Sequence, residues 1–174
     1  MRRFAIVLAT LALSFAAGSA FAQDQAKKMT DTKTFVRMAT SGNQFQIQSS
    51  KLALDKAQDK GLQKYAKQMI EDHTAVSDKM KKTLKQANIE MPENAQKLTE
   101  NHQKMMDKLK QAEGKQFDEA YREAQIKAHD EAIKLHQAYA EGGDNKQLQQ
   151  LAQSLLPTLK QHREMIDKVE AQAS

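Results

Sequence analysis

Apolar residues recur along this chain at alternating spacings of three and four, the period of helices that bury one face. From Lys33 to about Ala57 the face centres on Phe35, Ala39, Gly42, Gln46, Ser49 and Ala53. From Leu62 to about Ala87 it runs through Leu62, Ala66, Met69, His73, Val76, Met80 and Leu84. A third stretch opens at Met91-Pro92, because proline suits a first helical turn, and carries Ala95, Leu98, His102, Met105, Leu109 and Ala112. A fourth, Gln116 to Glu141, has a wide face through Phe117, Tyr121, Gln125, Ala128, Ala132, Leu135 and Tyr139, with His129 at its edge. A fifth, capped by Asp144 or Asn145 and reaching about Ala171, aligns Leu148, Leu151, Leu155, Leu159, His162 and Ile166.

Isolated helices of this length are marginal in water, so the five faces predict a shared interior: an all-α bundle, one domain over residues 33–172. The breaks at Asp59-Lys60-Gly61 and Gly142-Gly143 are short and make the first and second, and the fourth and fifth, helices antiparallel neighbours. The third, about 19 residues or roughly 28 Å long, carries the chain back so that the second and fourth run parallel. That is the connectivity of a ferritin-like four-helix bundle with a helical crossover. The competing arrangement is a five-helix up-down bundle with the third helix in the core.

The first 22 residues fall outside this pattern. Met1-Arg2-Arg3 is a basic start, Phe4 to Ala17 is an apolar run short for a membrane span, and Ala20-Phe21-Ala22 has the small-x-small form of a signal-peptidase site. Cleavage before Gln23 predicts an exported, periplasmic protein with no transmembrane segment, whose polar residues 23–32 form a disordered lead-in.

Composition removes several functions. The absence of cysteine excludes disulfide frameworks and thiolate metal sites. Lysine and arginine number 27 against 22 acidic residues, and the predicted leader carries two of the basic ones, so the mature chain is only mildly basic. Without an aromatic platform, such a surface reads as solvated helix faces, not a nucleic-acid interface. The nucleophile elbow, the phosphate loop and the metalloprotease motif are all missing.

Histidines fall on the apolar seams. Gln46 lies 13 residues before the turn at position 59, His73 lies 14 after it, and His129 lies 14 beyond position 115, so these three converge at one depth. His162 matches less well, about 7 Å away when counted from the turn near position 143, with Tyr121 and Gln125 closer to its level and Pro157 able to bend its helix. Two readings follow. In the favoured one, His73, His129, His162, Gln46 and Tyr121 satisfy one another in a hydrogen-bonded core. In the other, the three imidazoles with Gln46 bind a transition metal (iron, zinc or copper), and Asp72, Asp118, Tyr121 and Gln125 surround them as supporting polar groups. Asp72 points about 100° from His73 and suits an orienting role, whereas the Glu-x-x-His pattern of di-iron bundles is missing.

The blocks Phe45-Gln46-Ile47-Gln48-Ser49-Ser50-Lys51-Leu52-Ala53-Leu54, Tyr65-Ala66-Lys67-Gln68-Met69-Ile70-Glu71-Asp72-His73, Phe117-Asp118-Glu119-Ala120-Tyr121 with Gln125 and Ala128-His129, and Leu156-Pro157-Thr158-Leu159 with His162 resemble a known family. It is the exported ferritin-like domain-of-unknown-function family often labelled "predicted outer membrane protein". The resemblance spans about Phe35 to Val169 and implies a helical bundle and export, with no established reaction. The family's pattern usually carries Glu at the position of Gln46 and Phe at that of Tyr65. The outer-membrane label finds no barrel-strand alternation in this chain.

The leading functional expectation is a non-enzymatic exported bundle acting in envelope stress or as a binding module. The alternative is a metal-binding or metal-oxidising bundle built on the core histidines. A third is self-association or a helical partner docked through the stripe of the third helix.

Overall fold

The computed structural model describes residues 29–173. Five helices follow in order: α1 (Thr32–Lys56), α2 (Lys60–Gln86), α3 (Glu100–Gln111), α4 (Gly114–Gly142) and α5 (Lys146–Ala173). Four of them open on side chains that accept from their own first turns, Asp31, Asp59, Thr99 and Asn145. Gly114 starts α4 at φ +56°, a conformation costly for any residue with a Cβ. At the α4–α5 turn a Cβ on Gly143 would stand 2.6 Å from both the ring and the carbonyl of Tyr139.

The long helices form a ring, α1 beside α2 and α4, and α5 beside α2 and α4. Tyr65, early in α2, meets Tyr121 and Gln125, early in α4, so these two diagonal helices run parallel as the sequence implied. α3 lies across the groove between α1 and α4, outside the ring, which rules out the up-down arrangement with a buried third helix. Its C-terminal carbonyls, Lys110 and Ala112, accept from Lys56 Nζ at the end of α1.

The third helix is shorter than its pattern indicates. It begins at Glu100, not near Pro92, and its 12 residues span about 18 Å. Asn88 (φ 53°) and Asn94 (φ 59°) adopt the left-handed conformation that asparagine tolerates, and each ends any helical run. Residues 87–99 therefore form turns, with Ala95 still buried at 1 % exposure. The expected leader at residues 1–22 lies outside the described residues. Residues 23–28 of the expected lead-in lie outside them as well; of the rest, Met29 packs on the core, Asp144 N–H donates to the Thr30 carbonyl, and Thr32 begins α1.

The interior has two apolar clusters. One gathers Phe45, Leu62, Tyr65, Met69, Phe117, Tyr121 and Ile166, and the other Phe35, Val36, Met80, Leu84, Leu135, Tyr139, Leu148 and Leu155. A polar layer separates them. Among the described residues, no helix is long and apolar enough to cross a membrane.

Candidate metal centre

The polar layer is built around His73 of α2, His129 of α4 and His162 of α5, none more than 3 % exposed. Their ring centroids form a nearly equilateral triangle with sides of 5.8, 5.4 and 5.5 Å. One ring nitrogen of each falls within 4.8 Å of the other two.

His162 joins this layer despite its poorer count along the chain. Residues 143–145 are not helical, so the relevant intervals are 13 residues from His129 to Gly142 and 16 from Lys146 to His162, an offset of about 4.5 Å. Helical side chains lean toward their own N-terminus, which in an antiparallel pair brings the two imidazoles together and closes most of that gap.

Each imidazole is oriented through its other nitrogen. His73 Nδ1 lies 2.7 Å from Asn43 Oδ1, and the Asn43 amide is fixed because its nitrogen donates to the His73 carbonyl and to Ser77 Oγ. His129 Nδ1 donates to the Gln125 carbonyl at 2.9 Å. His162 Nε2 donates to Asp72 Oδ2 at 2.8 Å, and Gln68 Nε2 donates to the same oxygen at 2.8 Å. These bonds place the protons on the outer nitrogens and leave lone pairs on His73 Nε2, His129 Nε2 and His162 Nδ1. All three of those atoms are buried without a hydrogen-bond partner.

The histidines therefore do not satisfy one another, contrary to the favoured sequence expectation. A buried unsatisfied acceptor costs about 1–3 kcal/mol, and here three face one another. Burial also fixes their charge state. His129 is pushed down to about 4, chiefly by desolvation and partly offset by the Gln125 carbonyl. His73 is driven well below the usual imidazole range by desolvation and then by its histidine neighbours. His162 is lowered by burial, an effect that Asp72 opposes. Near neutral pH the three rings are neutral donors.

The other residues singled out in the sequence occupy different places. Gln46 is 3 % exposed and its Nε2 lies 3.2 Å from His129 Nδ1, while its Oε1 is buried without a partner. Since His129 Nδ1 already donates to Gln125, turning the Gln46 amide over makes its oxygen a second acceptor for that proton. The Gln125 side chain donates to Ser49 Oγ and accepts from Tyr65 Oη. Tyr121 pairs with Ser50 Oγ at 2.8 Å and does not reach an imidazole. Asp118 is outside the polar layer altogether: as a carboxylate one turn into α4, it accepts from the backbone of Gln58 and Asp59 and pins the α1–α2 turn. Asn43 was missed, although it lies three residues before Gln46 on the same inward stripe as Ser49 and Ser50.

Three nitrogen donors of fixed tautomer, each with an outer hydrogen bond to a carbonyl, amide or carboxylate, have the chemistry of a transition-metal site with its supporting shell. The donor atoms lie within 4.8 Å of one another, against the roughly 3.4 Å set by tetrahedral metal–nitrogen bonds of about 2.0–2.1 Å.

No curated protein matches the chain. Among solved structures it is similar to one described as "CopM in the Cu(II)-bound form", with 20% sequence identity and a TM-score of 0.67 over 83% of this chain and 98% of that one, a likeness of fold. A family model described as "Domain of unknown function (DUF4142)" matches residues 17–169, and the chain belongs to that family.

Proposed function

We propose that this chain is an exported, non-enzymatic binding protein that holds one transition-metal ion in the centre of its helical bundle. His73 Nε2, His129 Nε2 and His162 Nδ1 are the ligands. Asn43, the Gln125 carbonyl and Asp72 orient them, and Gln46 borders the site. The observation that carries this reading is that His73, His129 and His162 each keep a buried ring nitrogen without a partner, in a cluster where one ring nitrogen of each lies within 4.8 Å of the other two. A structural histidine core pairs such atoms instead of turning them toward a common point.

Copper is the first ion to test. Nitrogen sites follow an affinity order that peaks at Cu²⁺ among the divalent first-row ions, and the similar fold of CopM has been captured with Cu(II). Export rests on the basic start, apolar run and Ala20-Phe21-Ala22 of the leader, which set the protein in a bacterial periplasm.

Metal analysis of untagged protein, after incubation with copper or zinc and gel filtration, tests the reading. One ion per chain, lost in the double variant His73→Ala/His129→Ala, is the expected result. Wild-type protein that stays metal-free, with an unchanged melting temperature in excess copper and zinc, overturns it.

A further inference from the structure

A cavity of about 110 Å³ lies between α1, α2, α4 and α5 and runs alongside the histidine layer. It has room for several water molecules, each of which needs roughly 10–15 Å³. Its inner wall includes His73, His162 and Gln46, its flank Thr40 and Val76, and its outer edge the exposed Lys81. Two of these carry buried polar atoms that nothing in the protein satisfies: the Thr40 hydroxyl and, once the Gln46 oxygen is turned to His129, the Gln46 amide nitrogen. The space is therefore not a packing void between alkyl groups; it is a partly polar passage that begins at the candidate ligands.

Charge decides what the passage suits. Three neutral imidazoles bring no negative charge to a divalent ion, and the carboxylate of Asp72 reaches only the outer nitrogen of His162. A cation held this way between two apolar clusters keeps a large net positive charge, which an anionic ligand relieves. Three protein ligands also leave a fourth position open, as in exchangeable metal sites. The Thr40 hydroxyl is free to rotate and donate to an anion, and among the residues lining the cavity Lys81, paired with Asp78 at 3.7 Å, brings the one ammonium and no carboxylate is present.

We infer that the histidine centre takes a small exogenous monoanion, of the hydroxide, halide or azide class, as its fourth ligand, and that this anion arrives through the cavity bounded by Val76 and Lys81. The inference rests on the metal reading above. It makes the protein a binder of an ion and an anion together, with the passage setting how fast the anion exchanges.

Full-length mature protein loaded with Cu(II) and titrated with sodium azide tests this, with the visible charge-transfer absorption as the signal and metal content measured in parallel. A saturable new band at one copper per chain is expected. Val76→Phe should slow azide association by roughly tenfold and Val76→Ala should hasten it, with copper content unchanged in both. Copper bound at one per chain with no azide band overturns the inference and leaves the metal reading standing. Identical association rates in the two Val76 variants overturn the route. Protein that takes up no copper overturns both readings together.

Discussion

Two groups of buried histidines occupy this bundle, and they differ in how their nitrogens are used. His102 of α3 is 8 % exposed; its Nδ1 accepts from Ser41 Oγ at 2.8 Å, Ser41 in turn accepts from the Thr99 backbone N–H, and the ring stacks on Phe45. That histidine fastens the crossover to α1. His136 similarly bonds the Ala132 carbonyl and packs edge-on against Phe35. At His73, His129 and His162 the outer nitrogens are bonded just as well, yet the inner ones converge without partners. Burial alone does not separate a ligand from a fastener; the direction of the remaining lone pair does.

The contrast is sharpest under truncation. His129→Ala is expected to abolish stoichiometric copper or zinc binding, while His102→Ala keeps it at one ion per chain, both measured by elemental analysis after gel filtration. Metal loss in both variants alike would erase the distinction.

Acid comes next in size. In metal-free protein the folded state holds His129 at about 4, whereas the unfolded chain titrates near 6.5, so only the unfolded state gains a proton between those values. Stability is full above pH 6.5 and falls as the pH drops toward 4, by about 3 kcal/mol from this residue. Urea unfolding at pH 7 and pH 4.5 measures it, and His129→Leu should flatten the dependence.

A smaller effect belongs to the orienting groups. Asp72→Asn should weaken metal affinity by roughly 10–100-fold through His162, with the fold intact. Competition with a chelator of known strength reads this out, and unchanged affinity would show that the His162–Asp72 bond does not support the site. The smallest change is Ser41→Ala, which should cost about 1 kcal/mol in urea unfolding and leave metal affinity untouched.

Much of the architecture was legible because long helices impose their period on the sequence: the seams through Phe35, Met69, Tyr121 and Leu155 are the observed core. The third helix was misread at its start because the left-handed turns at Asn88 and Asn94 are conformations that composition only permits. At the polar layer, equal counts from the turns aligned His73 with His129. The same counting misplaced His162, since rise per residue ignores the opposite lean of side chains on antiparallel helices. Whether the imidazoles paired with one another or faced inward unpaired depended on differences of an ångström, and no periodicity carries that information.

The three imidazoles come from α2, α4 and α5, while α1 contributes only Asn43 and Gln46 alongside them and α3 stands outside the ring. An ion bound here would clasp three rods at mid-height and leave the first rod and its strap unfastened. Amide exchange should then slow around the middle of the clasped helices on loading, and the α1–α3 side would become the first part of the bundle to open.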